Sequence, residues 1–319
     1  MMCKALVLIR NLSSNAKRLD FGEFTISVVG LRYEDLSNVL LFRDVKPDDW
    51  IFEKSYNELP PGPVGSSVGG VPDDVEDILL LFRLYSVGDI AFIRAAITTP
   101  KGNTVIQPYR AMNDLNSYSR SEFELKAEEC GSWKTFATGV QQSQSWTSDW
   151  FATARRFFLS GGAKPFNPSR DDVDRIVDYA TALESALVPE KDYNTRRISR
   201  RAAALVAGNG SAEQEFVTKL VTKFYDIRST IVHGCKLRDK QREWLIKNNE
   251  HIELRIRRVL SAAVQKLPPG EEDRRIALAG LYDPADEDRG SSAFDKFGEI
   301  KTAEVRKAIA AKIALLAGE

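Results

Sequence analysis

Histidine is scarce in this chain: there are two among 319 residues, His233 and His251. Neither adjoins a nucleophile elbow, so no serine or cysteine has an identifiable base partner, and hydrolase chemistry of that kind is not indicated. Cysteine is nearly as rare. Cys3, Cys130 and Cys235 are odd in number and widely spaced, which fits reduced thiols in a cytosol rather than a disulfide framework or a zinc site. No metal and no cofactor is expected. Net charge is absent too: 45 basic residues balance 45 acidic ones, so no global field draws the chain to nucleic acid or membrane, and a basic contact surface must be local. Long apolar runs are missing. Ala5 to Ile9 is too short for a signal-peptide core, and Ile78 to Ile97 is interrupted by Arg83, Asp89 and Arg94. The expectation is a cytoplasmic chain with no membrane partner. Gly65, Gly69 and Gly70 lie in a Pro-rich stretch without the lysine or the strand-to-helix context of a phosphate loop, so nucleotide hydrolysis is not supported.

What is present suffices for a core. With 43% hydrophobic residues over 319 positions, two domains are expected. Near residue 145 alternating and β-branched segments give way to long amphipathic patterns. The chain therefore divides into a β-rich part at 1–144, a helical bundle at 145–267, and a linker with a last helix at 268–319, an α+β protein. In the first part Phe24 to Val29 and Thr104 to Ile106 read as strands, and 60–70 as a loop. The run Ile78 to Leu84 suits a buried strand or a helix, and Gly88 after it favours a strand pair. Apart from these elements, 1–144 holds no interpretable motif.

Downstream, Trp150, Phe151, Ala154, Phe157 and Phe158 recur at helical spacing after Thr147-Ser148 and stop at Gly161-Gly162. Ser169 with Asp172 resembles a capping box, opening a second helix with a core stripe from Val173 to Leu187 that Pro189 ends. Further helices are expected over 195–208, 211–233 and 239–266, then one over 302–317 beyond a charged segment at 283–290. Trp133, Trp146 and Trp150 are assigned to packing rather than base stacking.

The strongest chemical clue is the spacing Arg228-x4-His233 at the end of the helix over 211–233. A guanidinium holds a phosphate and an imidazole moves a proton near neutral pH, so the two suit phosphodiester cleavage without a metal. On that helix Phe216, Leu220, Phe224, Ile227 and Ile231 form an apolar stripe. Lys219, Lys223, Asp226, Thr230 and His233 form a polar one, with Arg228 at the border. Residues five apart differ by roughly 140° of rotation in an ideal helix. Arg228 and His233 would then face one ligand only if the helix ends between them or a second copy contributes. Gly234 supplies a natural end.

Three segments carry a resemblance: Asp178 to Glu184 (DYATALE), Arg200 to Leu205 (RRAAAL) and Tyr225 to Gly234 (YDIRSTIVHG). Together they resemble an ApeA-type HEPN domain over about residues 145–267, under half of the chain. That resemblance implies an all-helical bundle that often forms a homodimer, so that two Arg-x4-His motifs line one cleft, and metal-independent endoribonuclease activity. By it Arg228 would neutralise the scissile phosphate and His233 would assist the ribose 2′-hydroxyl, leaving a 2′,3′-cyclic phosphate. DNA would resist. A role in prokaryotic antiphage defence or as a toxin is implied, with RNA as partner and a trigger ligand or protein at the N-terminal part. Ser229 departs from the pattern, since many active members carry Asn, Asp or His after the arginine.

Other candidates have two readings each. Glu184 lies within an apolar stripe, where a carboxylate is costly to bury unless paired; it either orients Arg228 or forms a structural pair that fixes helix register. Asp226 and Thr230 either support the site or belong to a solvated helix face. His233 is a catalytic acid or base, or a capping histidine that donates to terminal carbonyls. His251 reads as a surface residue. The runs Arg196, Arg197, Arg200, Arg201 and Arg255, Arg257, Arg258 either grip a phosphate backbone or form solvated faces, and Arg200 with Arg201, inside the resemblance, are the better RNA-binding candidates. The competing class is a non-catalytic module that only dimerises or binds RNA or a protein partner.

Overall fold

A computed structural model describes residues 2–31, 45–58, 73–88, 90–98, 104–108, 122–189, 195–207 and 211–281. The expected loop at 60–70, the charged segment at 283–290 and the helix at 302–317 lie outside the described residues.

The N-terminal part contains strands β1 (Cys3–Arg10), β2 (Leu12–Ser13), β3 (Arg18–Asp20), β4 (Phe24–Val28), β5 (Trp50–Tyr56), β6 (Ala91–Thr98), β7 (Thr104–Pro108) and β8 (Phe123–Glu124). Six of them form an antiparallel sheet in the order β3-β4-β5-β1-β6-β7, while β2 and β8 make a short parallel pair. Strand β1 is central and covered on both faces. Ala5 to Ile9 are all buried, which is why the strand reads as an unbroken apolar run rather than an alternating one. Val7 faces the main core with its partner Phe52, and Leu6 faces a smaller cluster with Ile51 and Ala96.

The run Ile78 to Leu84, for which Gly88 points to a strand pair, belongs instead to helix α1 (Asp73–Tyr85). All seven residues are buried, so the helix carries no one-sided stripe and periodicity has nothing to detect. Asp73, Asp74 and Glu76 in its first turn complement the positive end of the helix dipole. Gly88 serves a close approach: at φ +131 it has no room for a Cβ, which would stand 2.5 Å from Phe123 Cα.

Among the described residues seven α-helices follow: α2 (Cys130–Gln141), α3 (Asp149–Ala163), α4 (Asp174–Leu187), α5 (Thr195–Val206), α6 (Ala212–Val232), α7 (Asp239–Lys266) and α8 (Glu271–Ala279). The helical C-terminal part and the antiparallel sheet make an α+β architecture. Ser148 caps α3, its hydroxyl accepting from Phe151 N–H at 3.3 Å. Gly161 and Gly162, read as a stop signal, lie inside α3. A Cβ at Gly161 would meet the Tyr179 ring at 2.7 Å, and one at Gly162 would meet Arg83 Nη1 at 2.7 Å. The glycines are there so that α3 can approach α4 and α1. Ser169 opens no helix; it sits in a 3-10 turn, and α4 starts at Asp174 without a side-chain cap. No described helix is long and apolar enough to cross a membrane.

Buried side chains of the sheet, of α1 and α2 and of the later helices belong to one apolar cluster that runs past residue 145 without a break. Across it, Arg83 of α1 donates to the Leu159 carbonyl at 3.2 Å, and Arg257 of α7 donates to the carbonyls of Arg83 and Gly88. The last described strand ends at Glu124 and α2 already precedes residue 145, and the apolar core is shared by both parts. These contacts fix α7, and with it the end of α6, relative to the sheet.

Candidate functional site

The site is built on α6. Ser211 caps the helix by accepting from Gln214 N–H at 3.1 Å, a stabilisation of roughly 1 kcal/mol. Val217, Leu220, Val221, Phe224, Tyr225 and Ile227 form its buried face. Phe216, expected in that stripe, is exposed and lies edge-on to His251, with Arg255 over its ring. Leu220, Phe224 and Ile227 of the expected stripe are buried and Ile231 packs partly buried on the core, while Val217, Val221 and Tyr225 widen the face on one side. His251 is exposed, as its polar neighbours suggest.

The C-terminus of α6 closes in a Schellman turn. Gly234, at φ +69, donates its N–H to Ile231 O at 2.9 Å, and Cys235 donates to Thr230 O at 3.0 Å. Glycine fits the left-handed position that this closure needs. The last carbonyls are thus satisfied by backbone. His233 stands at the turn with its N–H on Ser229 O at 3.1 Å and its side chain exposed. Among the described residues the imidazole makes no hydrogen bond, so the ring is not what caps the helix.

Arg228 and Glu184 meet. Arg228 Nη2 lies 3.3 Å from one Glu184 oxygen and 3.4 Å from the other. One nitrogen bridges both oxygens, in place of the two parallel bonds of a guanidinium-carboxylate fork. Glu184 is 8% exposed, whereas the Arg228 side chain keeps 28% of its surface open. Nε of Arg228 is buried with no partner among the described residues. Burial pushes the Glu184 carboxyl above its ordinary range, and the Arg228 cation pulls it part of the way back. Tyr225, one turn before Arg228, is fully buried and donates its hydroxyl to Ala180 O at 2.9 Å. Its phenol is raised well above the usual value, first by burial and then by the Glu184 charge.

The remaining predicted residues divide sharply. Thr230 Oγ1 donates to Asp226 O at 3.0 Å and accepts from Gln241 Nε2 at 3.1 Å, tying the end of α6 to the start of α7. Asp226 and Ser229 are exposed. Arg201 is 2% exposed and donates to Leu187 O at 2.6 Å, so its guanidinium is committed to closing α4 rather than open to a phosphate. Arg200 is half-buried, with Nη1 lacking a partner among the described residues. Arg255 pairs with Glu213 at 2.7 Å and Arg257 is buried, which leaves Arg258 as the exposed member of that run. Neither run is a continuous basic surface. Trp133 and Trp150 are buried, and Trp146 is half-buried against Phe151.

Two residues of the site escaped sequence reasoning as individuals. Tyr225 and Gln241 are both buried polar side chains that position the elements carrying Arg228 and His233. For Tyr225 the signal was available, because it falls on the buried face three residues before Arg228. Gln241 had none, since its partner Thr230 is set by the path of the chain through Gly234 and Leu237. Among the described residues no group of three His, Cys, Asp or Glu is placed to hold a metal ion.

Chemically, this helix end offers a partly open guanidinium and an exposed imidazole separated by about 7.5 Å of helical rise. Compared with models of protein families, with curated proteins and with solved structures, the chain matches none.

Proposed function

We propose that the helical part is an HEPN-type module, of the ApeA-like kind that its sequence resembles, and that it cleaves RNA without a metal as a homodimer. The observation that carries this reading is the asymmetric hold on Arg228. Glu184 holds the guanidinium through Nη2 alone and the side chain keeps 28% of its surface open, while His233 stands exposed on the same helix end.

In the proposed reaction Arg228 binds the scissile phosphate and offsets the charge that grows on its oxygens. His233 takes the proton of the ribose 2′-hydroxyl as that oxygen bonds to phosphorus, and the phosphorus bond to the 5′-oxygen breaks, the departing oxygen taking a proton from solvent water. The products are a 2′,3′-cyclic phosphate and a 5′-hydroxyl. A second copy would bring a second motif to the cleft and supply the convergence that one helix cannot. Val232, half exposed beside His233, is an apolar side chain that such a partner would cover. A cytoplasmic role in prokaryotic antiphage defence or as a toxin follows from the same resemblance.

The second reading is a non-catalytic module for dimerisation, RNA binding or partner binding, and Ser229 is the observation that favours it. An exposed hydroxyl after the arginine offers less to a transition state than the Asn, Asp or His of many active members. The experiment that separates the readings is His233→Ala, assayed for RNA cleavage together with circular dichroism and size-exclusion chromatography. Loss of cleavage with fold and dimer intact supports the enzyme. Loss of folding makes His233 structural.

A further inference from the structure

The connection from α6 to α7 carries a set of cations beside the site that the basic runs around Arg200 and Arg257 do not include. Lys236, Arg238 and Lys240 follow His233 by three, five and seven residues. All three are exposed, and none forms an ion pair among the described residues. The acids around them are outnumbered. From His233 to Lys247 five cations stand against two carboxylates, Asp239 and Glu243. The fold adds Asp171, which shares Arg242 with Asp239 at 2.9 and 3.1 Å. On α6 the exposed Asp226 shares its polar face with Lys223. The segment therefore stays net positive.

It is also held in place. Leu237, between two exposed cations, is 5% exposed and belongs to the core. Gln241, itself buried, accepts from Arg238 N–H at 3.0 Å and donates its amide to Thr230 Oγ1 at 3.1 Å. The cations are thus tied to the helix end that bears His233. At full extension the chain would put Lys236 at most about 11 Å from His233, and Arg238 about 18 Å. Stability does not account for their placement. Arg238 and Lys240 flank the N-terminus of α7, the positive end of a 28-residue helix, where the dipole disfavours cations. A phosphate docked there would be attracted by the side chains and by the helix end alike.

From these unpaired, fixed cations we infer that Lys236, Arg238 and Lys240 bind the phosphate backbone of single-stranded RNA beside the scissile bond, an inference that rests on reading the site as a ribonuclease. They are positioning residues: they hold the strand while Arg228 takes the reacting phosphate. Contacts to phosphate set register and carry no base preference. Binding is therefore tolerant of sequence and falls steeply with salt, because each phosphate neutralised releases counterions.

The test is fluorescence anisotropy of a labelled oligouridine RNA with the full chain carrying His233→Ala, so that the probe stays intact, between about 50 and 200 mM salt. One variant adds Lys236→Ala, Arg238→Ala and Lys240→Ala together. A charge-matched control adds Lys17→Ala, Arg18→Ala and Lys126→Ala, exposed cations of the sheet part, and thermal melting checks each fold. The triple variant should bind about tenfold more weakly or worse, with the slope of log affinity against log salt shallower by about 2, since each single-strand phosphate contact contributes about 0.7. The control should keep the parent slope. Lys236→Ala alone, shallower by about 0.7, serves if the triple variant does not fold. An unchanged slope and affinity in the triple variant would overturn the inference, as would an equal loss in the control or no binding of RNA at all. Cleavage by the chain with His233 intact is read separately. Cleavage together with unchanged binding in the triple variant sinks this surface and leaves the ribonuclease, whereas weakened binding without any cleavage leaves the surface and sinks the ribonuclease.

Discussion

Two of the arginine-glutamate arrangements in the helical part, one around Glu253 and one around Glu184, are built differently. Glu253 is gripped from both sides, by Arg175 Nη1 at 2.7 Å and Arg257 Nη2 at 3.2 Å, with all three side chains at most 4% exposed. Both arginines also donate to carbonyls, Arg175 to Lys164 O and Arg257 to Arg83 O and Gly88 O. Glu184 holds Arg228 through one nitrogen at 3.3 Å and leaves the guanidinium partly open. The first arrangement is wholly buried and acts as a strut between α4, α7 and the sheet side. The second keeps part of its guanidinium at the surface near an exposed histidine. Exposure of the guanidinium, rather than residue type, separates a structural arginine from one able to take a ligand.

The largest effect that follows is on the strut. Glu253→Ala leaves two buried guanidinium groups without their counter-charge and should lower unfolding stability by about 3–5 kcal/mol, a large part of the 5–15 kcal/mol typical of a folded domain. Urea unfolding of this variant beside Glu184→Ala breaks the comparison if the two lose equally. Next comes His233→Ala, which should reduce cleavage by roughly 10²–10⁴-fold, the usual contribution of a general acid or base. Its melting temperature should stay that of the parent, because the Schellman turn, and not the ring, closes α6.

Gly161→Ala is expected to cost about 1–3 kcal/mol, as overpacking does. The gain in helix propensity, about 1 kcal/mol, is outweighed by the collision with the Tyr179 ring at 2.7 Å. Thermal unfolding decides the sign.

The smallest change, Glu184→Gln, sharpens the comparison. It should slow cleavage roughly ten- to a hundredfold by loosening Arg228 while preserving the fold. It also carries a pH signature. Burial raises the folded Glu184 above 4.5, so in the window between 4.5 and its raised value the native state holds the proton more tightly than the unfolded chain. The stabilisation that this group brings is full below 4.5 and is lost as pH rises through the folded value. The stability of the parent relative to Glu184→Gln should therefore be greatest near pH 4 and fall towards pH 7 in paired melts.

Much of this was legible in the sequence where one face of an element is wet. Helices α5, α6 and α7 fall within the ranges read from the sequence, 195–208, 211–233 and 239–266, and an apolar stripe with one carboxylate at Glu184 predicts a buried partner such as Arg228. Legibility failed where burial is complete or where a residue serves a remote partner. Helix α1 is covered all round and hides its period. Gly161 and Gly162 look like a stop until Tyr179 and Arg83 are placed against them. Arg201 looks like part of a basic patch until Leu187 O is seen to take its donor.

The central claim is that the open face of Arg228 and the exposed His233 perform transesterification on RNA. The most direct measurement is to incubate the full chain with RNA and with the same sequence as DNA, in EDTA, beside Arg228→Ala and His233→Ala, and to identify the ends formed. The account predicts 2′,3′-cyclic phosphate and 5′-hydroxyl ends from RNA with the parent protein, none from DNA, and none with either variant. RNA cleavage that persists in both variants, or that yields 5′-phosphate ends, would contradict it.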